Sequence, residues 1–259
     1  MDDTRDILTL AVEIGDVMLR NGAEIYRVED TVIHILEAYD VENFDVYVLS
    51  NGIFASANEN REDACSMVRH VPLCSSTHLG RIAELNQLTR DICTHECSII
   101  DAWDRLEVCR TLPGYHRGLV LFCCGLGSGS LCYLYGGSVL DACFAFFIGM
   151  VEQMFLFFCA THNVSRFLKN VFSSMLVAVL GILVFLTGLP VLYDKIIIGA
   201  IMPLVPGIVF TTSIRDFYNG DYLSGTIHLI DALLTALCIA VGVCIPIILF
   251  RSLGGGIAL

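Results

Sequence analysis

Five long apolar stretches limit what this chain can fold into: Leu119–Tyr135, Val139–Ala160, Phe167–Leu189, Ile196–Ile214 and Thr226–Phe250. A bilayer core of roughly 30 Å is crossed by a helix of about 20 apolar residues, with about 17–25 tolerated. All five fit that window, the first and fourth at its short end. Hydrocarbon offers no water to exposed backbone groups, so such runs must be helical. Gly136-Gly137-Ser138 makes a tight turn between the first two.

The charges lie elsewhere. Residues 1–110 hold 21 Asp and Glu against 9 Lys and Arg, a net of −12, and residues 111–259 hold 6 of each. An acidic soluble part (1–112) therefore precedes a membrane part (113–259). Only 16% of the chain is charged, against about a quarter in ordinary soluble domains. The acidity excludes nucleic acid as a partner, because phosphates reward a basic surface. Met1-Asp2-Asp3 lacks a basic, then apolar, leader pattern, so no signal peptide is expected. Of 12 cysteines, five fall in the soluble part, at positions 65, 74, 93, 97 and 109; free thiols are expected for them.

The soluble part reads as a small α+β domain. Thr4 to Leu19 repeats Ile7, Ala11, Ile14 and Met18 at helical spacing. A turn over Arg20–Glu24 leads to a second amphipathic helix ending near Tyr39. Phe44, Val46 and Val48 then alternate as in a strand, Asn51-Gly52 signals a hairpin, and "CSMVRHV" reads as a third strand. Helices are expected from Thr77 to Cys93 and from Ser98 to Thr111. With this domain inside the cell, the inner flanks of the spans hold Arg105, Arg110, Arg117, Arg166, Lys169 and Arg215, and the outer flanks hold Lys195 and Arg251. That bias favours a cytoplasmic N-terminus and an outer C-terminus in the plasma (inner) membrane.

The fourth stretch carries helix breakers, Pro203, Pro206 and Gly207, within "IMPLVPG". Proline lacks an amide N–H and clashes with the carbonyl four residues back. Pro203 thus frees the carbonyl of Gly199, and Pro206 that of Met202. Each unsatisfied group costs several kcal/mol in lipid. Gly207 permits close approach or an unusual backbone angle. A half-helix beginning there aims amide groups and a positive dipole end at the break, which suits a carboxylate. Thr211, Thr212 and Ser213 add hydroxyls. A kink used only for packing is the plainer alternative; two prolines three apart followed by glycine favour the discontinuous helix of transporters.

Residues Pro203–Gly207 ("PLVPG"), followed by "SIRDFYNGDYLSG" (Ser213 to Gly225), resemble the signature of the threonine/serine exporter family. There a Pro-Gly motif precedes an Ile-Arg-Asp segment and one more span. "NGAEIYRVEDTVIHIL" (Asn21 to Leu36) and "NGIFAS" (Asn51 to Ser56) are similar to two further elements of that family, in the same order. Long members fuse a second bundle. This chain is closer to the larger subunit of the split, two-chain version, whose members include succinate exporters. The resemblance implies a small apolar membrane subunit as partner. It implies a small-molecule substrate that is threonine, serine or a C4-dicarboxylate such as succinate.

Ionisable groups at membrane depth are costly and become functional candidates. Glu152 is the deepest; a coupling-proton or substrate role stands against a protonated packing residue. Asp141 opens the second span. His228, Asp231, Thr235, Cys238 and Gly242 share one face of the fifth, lining a cavity or meeting a partner. Arg215 and Asp216 read as a gate pair or charge anchor. Gly125, Gly127, Gly129 and Ser130 lack the lysine of a phosphate loop and suit close helix packing. Cys93-Thr-His95-Glu-Cys97 and His70, Cys74, His78 do not have zinc-site spacing, so no metal and no cofactor are expected. Glu24, Arg27, Glu29 and Asp30 form a charge group that is either solvated or a contact to the bundle. No nucleophile motif is present, so no enzyme is expected.

The expectation is a membrane bundle of five transmembrane helices, the fourth broken, preceded by a small α+β cytoplasmic domain. It would act as a gradient-driven exporter subunit in contact with membrane lipid, with a homo-oligomer left open. The rival reading is a membrane-anchored sensor or scaffold whose acidic domain binds a partner.

Overall fold

The computed structural model describes residues 4–57, 64–72, 77–162 and 164–253. They form two compact units: residues up to Gly114 together with Arg215–Ile227, and Tyr115–Ile214 together with the chain from His228. The sequence suggested a single boundary at residue 112; the contacts add a second segment to the N-terminal unit.

That unit contains α1 (Thr4–Arg20), α2 (Ile25–Ala38), β1 (Phe44–Leu49), β2 (Gly52–Ala57), β3 (Cys65–His70), α3 (Leu79–Cys93) and α4 (Ile99–Thr111). The strands make an antiparallel sheet in the order β1-β2-β3. Helix α1 is central and packs on α2, α3, α4, β2 and β3. Beyond the expected stripe of Ile7, Ala11, Ile14 and Met18, it also buries Leu8, Leu10, Val12 and Val17, as a helix covered on several sides must. Gly15 lets the sheet approach, since a Cβ there would lie 2.9 Å from Ile53 Cδ1.

The hairpin turn sits one residue earlier than the Asn51-Gly52 signal suggests. Leu49 pairs with Gly52, so Ser50 and Asn51 form the loop and Gly52 opens β2. Gly52 also pairs with His70, and a Cβ on it would come within 3.3 Å of the Arg69 carbonyl oxygen. The glycine therefore serves close strand approach rather than turn geometry.

The second unit is built from α5 (Arg117–Leu134), α6 (Val139–Thr161), α7 (Arg166–Leu186), α8 (Tyr193–Ile201), a 3₁₀ turn (Met202–Leu204), α9 (Gly207–Asn219) and α10 (Tyr222–Ser252); α9 and α10 each carry their 215–227 portions into the N-terminal unit. Helices α5, α6, α7 and α10 are each long and apolar enough to cross a membrane. The pair Tyr193–Leu204 and Gly207–Asn219 passes that test only jointly and is bent by 55°. The described residues thus hold four helices that could cross a membrane, or up to five if the bent pair is one broken span. The fourth apolar element starts at Tyr193 rather than Ile196 and runs past Ile214 to Asn219.

Helix α5 packs on α6 and α8, α6 on α7 and α8, and α7 on α8. Glycines make the first contact close. A Cβ on Gly125 would lie 2.8 Å from the Phe146 carbonyl oxygen, and one on Gly129 the same distance from that of Ala142. Gly127 has nothing within 4 Å. A capping box starts α6: the Ser138 amide donates to Asp141 Oδ2 at 2.8 Å, and the Asp141 amide donates to Ser138 Oγ at 3.2 Å.

Replacing Gly129 by leucine should force α5 from α6 and lower the thermal midpoint of the detergent-solubilised chain, at a cost of about 1–3 kcal/mol or more. Gly127→Leu should leave the midpoint unchanged. Equal midpoints for the two variants would contradict the packing described.

Candidate functional site

The break between α8 and α9 is made by Pro203 and Pro206. The carbonyls they release do not stay empty. The Met202 amide donates to Gly199 O, and the Val205 amide to Met202 O at 3.1 Å. A 3₁₀ turn is the local repair when the next α-helical donor is missing. The expectation of freed carbonyls at Gly199 and Met202 is therefore corrected. What remains is the start of α9, where Phe210 N donates to Pro206 O at 3.0 Å and Gly207 N to Val205 O at 2.8 Å. The first amides of any α-helix have no partner within the helix.

Gly207 has no positive φ, and a Cβ on it would meet nothing within 4 Å. It serves neither a left-handed turn nor a close approach within this chain. Pro203, Val205, Gly207 and Ile208 are exposed, and Pro206 is half-buried. The Thr211 hydroxyl bonds back to the carbonyls of Gly207 and Ile208, at 3.0 and 2.9 Å, so its proton is held by its own helix. Thr212 is half-buried, and Ser213 is fully buried one position on.

Glu152 lies in the middle of α6 with no exposed surface. Neither carboxyl oxygen has a hydrogen-bond partner. Ser173 of α7 is within interaction range but outside hydrogen-bond geometry, and its hydroxyl is also buried and unsatisfied. On α5, the buried hydroxyl of Ser128 is likewise unsatisfied and packs at Gly149, one turn before Glu152. Three helices thus contribute unmet polar groups to one stretch of α6. Nothing in the sequence pointed to Ser128 or Ser173 beyond their being hydroxyls in apolar spans. Asp141 provides the contrast. It is equally buried, but it caps α6 and accepts from the Leu192 amide at 2.9 Å, which explains it as structure.

Asp231 is not isolated, since it pairs with Arg166 at the start of α7. Gly242, on the same face of α10, sits against Ser174 and Val171 of α7. These two members of the expected polar stripe face another helix of this chain, whereas the sequence left open a cavity or a partner. His228 is half-buried.

Arg215 does not pair with its neighbour Asp216. It pairs with Glu24, at the start of α2 in the same unit. Asp216 is buried, and its carbonyl accepts from the Asp221 amide at 2.9 Å. The Ser50 amide donates to Ser224 Oγ at 3.4 Å. Burial pushes the Glu29 carboxyl above its ordinary value, the Val48 amide opposes this, and the charges of Asp221 and Asp30 add to it. A carboxyl raised in the fold is strained while ionised, and that strain is relieved as pH falls through the raised value. Of the charge group at α2, Glu24 pairs with Arg215 and Glu29 feels the charge of Asp221, both within the N-terminal unit.

The metal-like clusters separate. The His78 ring accepts from the Arg81 amide at 3.1 Å and caps α3; Cys74 lies outside the described residues. Burial raises the Cys93 and Cys97 thiols. Among the described residues no group of three His, Cys, Asp or Glu could hold a metal ion.

Four helices long and apolar enough to cross a membrane, a bent fifth pair and a buried carboxyl without a partner point to a class: a multi-pass membrane protein. The family described as "Putative threonine/serine exporter" (ThrE) matches residues 9–250. The chain belongs to this family, a family of transporters. No significant match was found among curated proteins or solved structures.

Reversing Arg215 to glutamate should speed hydrogen exchange across 215–227 in the full chain. Adding Glu24→Arg should restore much of the protection. Unchanged exchange in the single variant would show that the pair does not hold the segment.

Proposed function

We propose that this chain is one subunit of a secondary exporter for small carboxylate-bearing metabolites, threonine and serine first and a C4-dicarboxylate such as succinate second. The observation that carries the reading is the interrupted α8–α9 element in a chain of this family. Its first α9 amides and positive dipole end offer a carboxylate a partner that hydrocarbon does not. Thr212 and the Pro206–Gly207 turn flank that place, and Pro203 keeps the two halves apart.

Glu152 supplies the coupling group. An ionised carboxylate without a partner in this interior costs several kcal/mol. The group therefore holds a proton in this packing and exchanges it when the packing changes. Ser173, within interaction range of it, is the hydroxyl suited to stabilise its charged form, and Ser128 lies against Gly149, one turn away. Asp231, tied to Arg166, is a weaker candidate for the moving proton. Arg215, through Glu24, and His228 lie where the chain passes between the two units and are suited to gating.

The exposure of Val205, Gly207 and Ile208 fits a second, small apolar membrane subunit that covers the break. The plasma (inner) membrane, with the N-terminal unit in the cytoplasm, follows from the Lys and Arg bias of the flanks.

The test is efflux of labelled threonine, serine and succinate from cells with this chain alone, with the small subunit alone, and with both. Export should need both chains. It should fall at least tenfold in Glu152→Gln and in Gly207→Leu, while membrane levels stay unchanged. Full export by both variants would remove the proposed site, and efflux indifferent to this chain would remove the function.

A further inference from the structure

The N-terminal unit holds a cavity of about 620 Å³ that the proposed transport route does not use. Four of the chain's arginines line it, Arg20, Arg69, Arg81 and Arg110, together with Glu13, Asp16 and Trp103. This is a concentration of positive charge in a segment whose net charge is −12 over residues 1–110.

The charges are only partly neutralised. Asp16, 3% exposed, receives Arg20 Nε at 2.7 Å on one oxygen. Its other oxygen faces Arg69 Nε at 3.8 Å, too far for a hydrogen bond, and neither of those two buried atoms has another partner. Glu13 is shared between Arg69, at 2.7 Å, and Arg110, which also pairs with Glu107. Arg81 meets only neutral oxygens: the Leu112 carbonyl accepts from Nε at 3.2 Å and Nη2 at 2.6 Å, and Asn21 Oδ1 accepts from Nη1 at 3.4 Å. Among the described residues it has no carboxylate. The cavity wall therefore holds a guanidinium with no carboxylate beside it and a buried carboxylate oxygen with an unmet bond.

We propose that this cavity binds a small α-amino acid as its zwitterion, with Arg81 and Arg69 taking the α-carboxylate and Asp16 the ammonium. A guanidinium fork matches a carboxylate in two parallel bonds. A plain dianion would meet Glu13 and Asp16 at the same wall, and a plain cation would meet four arginines. Only a ligand carrying both signs satisfies both sets. Trp103 gives the ligand's carbon skeleton an apolar face. Arg81 also holds the Leu112 carbonyl, at the C-terminal cap of α4, so occupancy acts on the end of that helix. The site reads the concentration of an amino acid rather than moving it. The choice of threonine and serine as ligands rests on the proposed function; the binding chemistry does not.

Trp103 is the only tryptophan in the chain, so its fluorescence reports on this cavity alone. The full-length chain in detergent is titrated with L-threonine, L-serine, threonine methyl ester, 3-hydroxybutyrate, succinate and inorganic phosphate. The two amino acids should give a saturable change. The ester lacks the carboxylate and the hydroxy acid lacks the ammonium; both should bind about tenfold or more weakly, as should succinate and phosphate. Arg81→Gln and Asp16→Asn should weaken threonine to the same extent, and Arg81→Lys less, each with an unchanged circular dichroism spectrum. No response to threonine, a response equal in all folded variants, or a preference for succinate or phosphate would each overturn the proposal. Efflux measured on the same proteins separates the two claims. Export without a Trp103 response removes this site alone, and a response without export removes the transport reading alone.

Discussion

Backbone groups in lipid must find partners inside the protein, and everything distinctive about this chain follows from how it treats that rule at one place. Pro203 and Pro206 make a continuous helix impossible. The chain recovers the lost bonds with a 3₁₀ turn, so the carbonyl side of the interruption is closed. The amide side is not repaired in the same way, because a new helix begins at Gly207. The start of α9 is itself partly paired, through Gly207 N to Val205 O and Phe210 N to Pro206 O, and what it leaves to the break is the other first amides of a new helix. The proposed function reads those amides as the place of a carboxylate.

Burial alone does not single out a functional carboxyl here; satisfaction does. Asp141 and Glu152 lie on the same helix and are both fully buried. The first makes a capping box and a bond to the loop before α8, and it would be conspicuous only if removed. The second makes none, and the nearby hydroxyls of Ser128 and Ser173 are also unmet. A packing role costs least when every polar atom is paired. The proposed function accounts for these unpaired groups on α5, α6 and α7 as a site that changes occupancy.

Much of the fold was legible because it rests on periodicity. The two-residue alternation around Val46, the helical spacing of Ile7 and Ile14, and the lengths of four apolar runs all map onto observed elements. Resemblance to the exporter family rested on contiguous motifs, and the family match bears it out. What the sequence hid were partners far apart in the chain. Arg215 beside Asp216 reads as a pair, yet Arg215 meets Glu24, the residue just before α2. Asp231 and Arg166 meet only because α7 and α10 pack together. Thr211 was expected to offer a hydroxyl, but a threonine inside a helix readily bonds the carbonyl a turn back. Gly207 was read as a backbone necessity, and the structure gives it neither strain nor close contact.

The central claim is that the interruption is reached by water and substrate rather than buried in lipid as a kink. Single cysteines at Val205 and Ile208 of this chain, expressed with the proposed small subunit and in a background without reactive native thiols, test it with a membrane-impermeant thiol reagent. The account predicts labelling at both positions, slowed severalfold by threonine or serine. No labelling, or labelling at the same rate with and without substrate, would contradict it.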